Sequence, residues 1–433
     1  MSGAAKNDAS APRLLISCVN YAPEILGSAP YTRDLACWFS SNGWDVHVVT
    51  TYPYYPEWRR RPGHGRLSYR KETLDGVQVW RCPTWLPQAP TGRGRLLHYT
   101  SFALSSLPVM LAHVPWRPTL TLAVAPTLAG TPAAHLAAGL SGGRSWLHIQ
   151  DYELDVALGL GMLPRGVRGV LRRMERALVR PFDIVTTITP QMMAVAEHNG
   201  VEPARLHLLP NWAYLDEVHP LPRASRFRRT LGLHDGEPVV LYTGNLGRKQ
   251  GVKLIADVAE LAQASASPAL FVVAGQGSGR ADLESAVADK RLRNVRLLPL
   301  QASSDFNELL NLADVHLLVQ DAHVADLVMP SKLTNMLASG RPVIATAGAD
   351  TGLGRLVREQ DVGVVVPPAD APVLAASIDA LLSDAEARHR QGRKARSYAE
   401  EHLNRERLLS AFVQQMGQAR TEVVEEVLPS WAQ

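Results

Sequence analysis

Pro238-Val-Val-Leu-Tyr-Thr-Gly-Asn-Leu-Gly-Arg-Lys-Gln-Gly251 is the stretch on which the fold turns. A short apolar run rich in β-branched residues stops at a glycine-bearing turn, and helical spacing begins after Gly251. The segment therefore reads as strand, glycine loop and helix. Glycine lets a backbone approach a phosphate, and the unpaired N–H groups at a helix start bind one. Arg248 and Lys249 add cationic charge suited to a pyrophosphate. A glycine turn after a strand is also ordinary architecture, and both readings stand on this segment alone.

Downstream the same alternation repeats. Residues 269–274, 295–298, 315–319, 342–345 and 363–366 read as strands, and 251–262, 279–288, 305–311, 331–339, 372–383 and 388–402 as helices. Upstream, strands are expected at 13–19, 45–50, 77–81, 119–124, 145–149, 184–189 and 206–209, with a first helix over 31–42. Two tandem α/β series of this kind predict two Rossmann-like, doubly wound domains facing one another across a cleft. The expected limits are a disordered tail over 1–12, a first domain over 13–212, a second over 213–402, and a helical segment over 403–433 packing back on the first domain. Length supports this division, since 433 residues exceed one ordinary core.

Composition narrows the function. The chain is 46% hydrophobic and 20% charged, as soluble globular proteins are. Its three cysteines, Cys18, Cys37 and Cys82, form no Cys-x-x-Cys pair, which argues against a disulfide framework and a structural zinc site and fits a reducing cytoplasm. Residues 1–212 hold 21 Lys and Arg against 14 Asp and Glu, whereas 213–433 hold 24 against 27. A basic first half suits an anionic membrane surface or a phosphorylated acceptor, or simply solvates helix faces. Nucleic acid is not expected, because no basic run is interleaved with stacking aromatics. The polar start lacks the apolar core of a signal peptide, and no spanning helix is expected. The most apolar stretch, 96–116, is broken by His98, Pro108 and His113. It reads either as a buried or interfacial helix pair or as a surface that dips into the bilayer interface.

Two further motifs carry chemistry. Gly275-Gln-Gly277 follows a strand at the same sheet edge as the first glycine turn, as a donor contact or a tight turn. Asp326-Leu-Val-Met-Pro-Ser-Lys-Leu-Thr-Asn335 leads into a helix started by Pro330 and Ser331 and stopped by Gly340 and Pro342. Lys332 and Asn335, three apart, share a helix face. A lysine, an amide and the Ser331 hydroxyl at a helix start suit a diphosphate and a sugar or ribose hydroxyl.

Taken in order, these motifs resemble those of family 4 glycosyltransferases of the GT-B fold, within them the Wca-type exopolysaccharide and colanic acid enzymes. Tyr21-Ala-Pro-Glu24 with Gly27, Tyr52-Pro-Tyr-Tyr-Pro-Glu-Trp58, Ile149-Gln-Asp-Tyr-Glu-Leu-Asp155, Pro210-Asn-Trp212 and Gln320 agree with that family, and the likeness runs from about residue 13 to the end. It implies a nucleotide diphosphate sugar as co-substrate, no cofactor and no metal, and retention of anomeric configuration. With the basic first half, the expected acceptor is a polyprenyl-diphosphate-linked saccharide, and the expected place is the cytoplasm at the inner face of the plasma membrane.

Two departures set this chain apart. Where the broad family carries an arginine and a lysine in the glycine turn, Asn245 and Gln250 stand here; where it carries two glutamates eight apart, Leu327 and Asn335 stand. The resulting expectation is a re-partitioned donor site. Gly27, Gly244, Asn245, Gln250, Gly275, Gly277 and Ser331 line it, while Arg248, Lys249 and Lys332 meet the diphosphate. Asn335 meets the ribose and Asp326 the sugar. In the first half, Asp151 receives the acceptor hydroxyl or its proton. Glu24, Tyr54, Trp58 and Asp155 contact the acceptor, with Tyr54, Tyr55 and Trp58 available to stack on sugar rings. A nucleotide-sugar 2-epimerase on the same fold, or a binding scaffold without catalysis, remain the alternatives.

Overall fold

The computed structural model describes residues 11–60, 68–88, 91–126, 128–152, 168–222, 226–234, 236–247, 251, 253–265, 267–320 and 330–426, with side chains to 417. The chain divides into two compact units, Met1–Leu209 and Pro210–Gln433.

The first unit is built on an eight-stranded sheet. Its strands are β1 (Arg13–Cys18), β2 (Asp45–Thr51), β3 (Arg70–Leu74), β4 (Val77–Cys82), β5 (Leu120–Ala125), β6 (Arg144–Ile149), β7 (Ile184–Thr187) and β8 (Leu206–Leu208). They lie in the order β3-β4-β2-β1-β5-β6-β7-β8, parallel throughout except for β3. β1, β5 and β6 are almost wholly buried, as strands covered on both faces must be. The helices are α1 (Ala29–Ser41), α2 (Gly92–Ala112), α3 (Thr131–Ser141), α4 (Arg168–Val179) and α5 (Pro190–His198). From β1 the chain winds one way to β2, and from β4 onward it winds the other way. Right-handed crossovers therefore put α1 on one sheet face and α2 to α5 on the opposite one.

β3 is the strand that sequence patterning did not foresee. Its residues Arg-Lys-Glu-Thr-Leu are mostly exposed or half-exposed at a sheet edge, so they carry no apolar run. The turn that makes it was legible: Asp75 and Gly76 both take positive φ, 53° and 81°, as a two-residue hairpin turn demands. The apolar stretch 96–116 resolves into one helix, α2, with Pro108 inside it, and a 3-10 turn Val114–Trp116.

The second unit holds a six-stranded parallel sheet of β9 (Val239–Thr243), β10 (Leu270–Ala274), β11 (Val295–Leu298), β12 (Val315–Leu318), β13 (Val343–Thr346) and β14 (Gly363–Val366), ordered β11-β10-β9-β12-β13-β14. Alternate residues of β9 enter different apolar clusters: Val240 and Tyr242 join one with Ile255 and Val258, and Val239 and Leu241 another with Leu309 and Leu312. The longer helices are α6 (Lys253–Ala264), α7 (Arg280–Asp289), α8 (Lys332–Ala338), α9 (Gly352–Glu359), α10 (Ala371–Ser383), α11 (Ala385–His402) and α12 (Arg405–Glu426).

In each sheet the winding reverses at one place, between β1 and β5 in the first and between β9 and β12 in the second. Such switch points open a crevice at the carboxyl ends of the strands, where α/β proteins bind ligands. The loop carrying Glu24 and Gly27 follows β1, and the Gly244–Gly247 turn follows β9.

Candidate active site

At the second switch point two glycine loops lock together. The Gly244 N–H donates to the Ala274 carbonyl (2.9 Å), the Leu246 N–H to Gln276 (2.8 Å) and the Gly279 N–H to Leu246 (2.7 Å). A Cβ on Gly275 would sit 1.9 Å from the Gly244 carbonyl oxygen, and one on Gly277 would sit 2.6 Å from Asn245 Oδ1. Gly275 and Gly277 thus serve loop-on-loop packing, and the turn reading of that motif has a direct steric basis. Gly244 takes a φ of 115°, which favours glycine.

Lys332 begins α8 and reaches this turn. Its Nζ donates to the Tyr242 hydroxyl at 2.9 Å and lies 4.1 Å from the centre of the Tyr242 ring. The Tyr242 hydroxyl in turn donates to the Asn245 carbonyl at 2.9 Å. One phenol therefore joins the cation to the glycine turn. Although part of the residue is exposed, the crowding around the Lys332 ammonium penalises its charge and brings its pKa down to about 7. Burial also raises the Tyr242 phenol, which stays neutral.

The neighbours of Lys332 on α8 differ in role. Ser331 is exposed at the N-cap position and makes no side-chain cap bond. Asn335, expected at the ribose, is buried, and its Oδ1 accepts the Tyr214 N–H at 3.0 Å. Its oxygen therefore ties α8 to the segment that follows β8. Gly340 closes the helix at a φ of 69°, as its stop signal implied. Arg248, Lys249, Gln250, Asp326 and Asp155 lie outside the described residues.

The first unit organises its loops around Glu24. This carboxylate is buried; Oε1 accepts the Tyr54 and Tyr55 N–H groups, both at 2.8 Å, and Oε2 accepts from Asn20 Nδ2 at 2.8 Å. Burial raises its pKa, against which the two backbone N–H groups, Asn20 and Arg81 pull it down. Arg81, also buried, binds the Ala22 and Thr51 carbonyls and pairs with Glu72 at 2.7 Å. Expected at the acceptor, Glu24 is instead committed to holding the loop after β2 against the loop after β1. Gly27 stands exposed just ahead of α1 with a φ of 68°.

Tyr54 and Trp58 meet, 5.1 Å between ring centres, and α2 adds two residues that sequence reasoning missed as site members. His98 lies 4.5 Å from Tyr54 and 5.5 Å from Trp58, and the Arg95 guanidinium lies 5.6 Å from the Trp58 ring centre. His98 Nδ1 bonds the Trp85 carbonyl at 2.7 Å, while its buried Nε2 has no partner among the described residues. Burial lowers its pKa and keeps it neutral. His98 had registered only as a break in an apolar run, because its partners are some forty residues away in sequence.

Asp151 follows β6 and is half-buried. Asp151, Glu24 and Arg95 all act on the Tyr55 phenol, which burial raises; Arg95 lowers it and the two carboxylates raise it. Behind Asp151 runs a buried polar chain. Gln150 Nε2 meets His148 Nε2 at 2.7 Å, His148 Nδ1 meets Thr186 Oγ1 at 2.8 Å, and Trp146 Nε1 donates to that hydroxyl at 2.8 Å. His148, its pKa lowered to about 4 by burial, stays neutral and fixes the strand end from which Asp151 leaves.

Comparison with known proteins shows the family of the chain. The family described as glycosyl transferases group 1 matches residues 224–398, and the glycosyl transferase 4-like domain matches residues 27–212. An Escherichia coli (strain K12) protein named as the colanic acid biosynthesis glycosyl transferase WcaI is 37% identical over 409 residues, covering 93% of this chain and 98% of the relative. Sucrose-phosphate synthase from Thermosynechococcus elongatus has a similar structure, with a TM-score of 0.72 at 20% identity over 96% of this chain and all of that one. Anabaena HepE in complex with UDP-glucose has a TM-score of 0.69 at 14% identity, over 94% and 99%.

Proposed function

The chain belongs to the family 4, group 1 glycosyltransferases of the GT-B fold, and from that premise we propose that it moves a hexose-type sugar from a nucleotide diphosphate sugar to a lipid-linked glycan intermediate in bacterial exopolysaccharide assembly. The colanic acid name of its Escherichia coli relative supports the pathway class, and UDP-glucose in the HepE complex supports the donor class. The observation that carries the donor half of the reading is Lys332, seated on Tyr242 beside the Gly244 turn at the switch point.

In this reading the bond from the anomeric carbon to the diphosphate oxygen breaks, and the acceptor hydroxyl oxygen bonds to that carbon on the same face. The hydroxyl proton passes to the departing diphosphate or to Asp151. Lys332, with Arg248 and Lys249, meets the charge that develops on the diphosphate, and the N–H groups of the glycine turn add to it. Tyr242 holds Lys332 in place. Asp326 meets the sugar. Asn335, whose oxygen is engaged with Tyr214, keeps its amide nitrogen for the ribose. No metal is required, because these cations do the neutralising. In the first unit, half-buried Trp58 and Arg95 form the acceptor-side platform, and buried Tyr54 and His98 pack behind them and hold it in place.

The test is a donor panel of UDP-, GDP- and dTDP-linked sugars with a polyprenyl-diphosphate saccharide, product anomer and linkage read by NMR, in the presence and absence of chelator. Transfer with retained configuration and no chelator effect is expected. An inverted anomer defeats the retaining mechanism. Epimerised donor in the absence of acceptor favours the isomerase, and turnover at background with tight donor binding favours the scaffold.

A further inference from the structure

The first unit presents one side of its sheet as a layer of helices, and we propose that the outer side of α2, α3 and α4 is the surface by which the protein docks on an anionic lipid membrane. The inference rests on the lipid-linked reading of the acceptor and names the face that would meet the lipid. The three helices lie on the same sheet face by their right-handed crossovers, and all three pack on one 3-10 turn, Leu128–Gly130.

Their outward residues include large apolar side chains on each helix. On α2, Leu96 is 65% exposed, Leu97 57% and Leu104 69%. With exposed Thr100 and Pro108 between and beyond them, they fall on about a third of the helix circumference at 3.6 residues per turn. Two half-exposed aromatics sit against the same helix: the Tyr69 hydroxyl donates to the Ser105 carbonyl (3.0 Å), and the Trp85 N–H to Ser101 Oγ (2.9 Å). Aromatics with one polar tip and one apolar body are suited to the headgroup level of a bilayer. Leu136 and Leu140, one turn apart, continue the apolar surface on α3, and Val170 and Met174 do so on α4. Large apolar side chains gathered on adjacent helices mark an interaction surface.

Charge selects the occupant. Between Asp75 and Asp151 the chain has no acidic residue at all. α2 carries Arg93 and Arg95, and α4 carries Arg168, Arg172, Arg173 and Arg176; the one carboxylate on the three helices, Glu175, is buried. Leucines framed by arginines with no exposed acid complement acyl chains under anionic headgroups. A second copy of the chain fits poorly, since a two-fold contact through this face sets arginine against arginine. Among the described residues no helix is long and apolar enough to cross a membrane, so the contact is interfacial.

The test uses the full chain with vesicles of phosphatidylcholine alone or mixed with phosphatidylglycerol, followed by co-sedimentation at 0.1 and 0.5 M NaCl. The wild type is expected to sediment with the anionic vesicles at low salt and to be released at high salt. Leu96→Gln/Leu104→Gln and Arg93→Glu/Arg173→Glu are each expected to lower partition by at least about tenfold with Tm unchanged, since all four side chains point to solvent. Equal binding to both vesicle types overturns the proposal, as does either double variant binding like wild type. So does a wild-type oligomer that the leucine variant dissociates. Sugar transfer to a detergent-solubilised acceptor separates the two readings: transfer without vesicle binding overturns the docking face alone, and vesicle binding without transfer overturns the reaction alone.

Discussion

The loops at the two switch points hold themselves together by opposite means. In the second unit the Gly244 turn and the Gly275–Gly277 loop are bound backbone to backbone, with glycines where a Cβ would collide. Arg280 is spent on the Gly275 carbonyl, whereas Lys332, beside the Gly244 turn, rests on a phenol with its pKa brought down to about 7. In the first unit the loops after β1 and β2 are joined by a buried carboxylate, Glu24, with both oxygens engaged. A carboxylate in the loop after β1 and an ammonium at the start of α8 thus have different work near the two switch points. The Lys332 charge is left for a ligand, whereas the Glu24 charge is consumed by the fold. A charged residue on a switch-point loop becomes a site candidate only once its own hydrogen bonds are known.

Removing each charge is the strongest way to break this contrast. Lys332→Ala is expected to lower kcat/KM by about 10²–10³ while leaving Tm within a few degrees, the size of losing one group that stabilises developing anionic charge. Near-wild-type transfer by the folded variant would dissolve the contrast from the donor side. Glu24→Ala is expected to do the reverse, costing about 2–3 kcal/mol in urea unfolding because the Tyr54 and Tyr55 N–H groups lose their acceptor inside the protein. An unchanged urea midpoint with weakened acceptor binding would return Glu24 to the site.

The sequence reveals the framework far better than these roles. Continuous apolar runs such as Leu14–Leu15–Ile16 and Val239–Val240–Leu241 are the mark of strands buried on both faces, and turn glycines such as Gly340 lie where the chain takes positive φ. β3 escaped because edge strands carry charge in place of an apolar pattern, although Asp75-Gly76 was there to find. Side-chain partnerships were not legible. Glu24 meets backbone thirty residues on, Asn335 meets Tyr214 across 121 residues, and His98 joins Tyr54 from a different element. Local spacing has no information about such pairs, because only the packed fold brings them together.

A subtler change tests how Lys332 is held. Tyr242→Phe keeps the ring under the ammonium and removes only the hydroxyl that links Lys332 to the Asn245 carbonyl. The loss of one hydrogen bond to a charged group corresponds to about 1–2 kcal/mol, or roughly five- to thirtyfold in donor affinity. Isothermal titration with UDP and a UDP-sugar measures it. A variant with wild-type affinity and wild-type kcat would show that the phenol is only a wall of the core, and that Lys332 is placed by its own helix.

The smallest expected effect separates the two loops by pH. With a pKa of about 7, the Lys332 ammonium is mostly charged at pH 6 and mostly neutral at pH 8. A diphosphate selects the charged form, so donor affinity is expected to fall as pH rises through 7, by about fivefold between pH 7 and 8 for a group titrating there. Lys332→Arg, which keeps its charge throughout, should flatten that profile even if its absolute affinity is lower. Glu24 offers no such readout in donor binding, since both its oxygens are bound within the first unit. Donor binding that is flat from pH 6 to 8.5 in the wild type would mean that the ammonium is fully charged before the ligand arrives. The contrast between a charge held ready and a charge consumed would then rest on geometry alone.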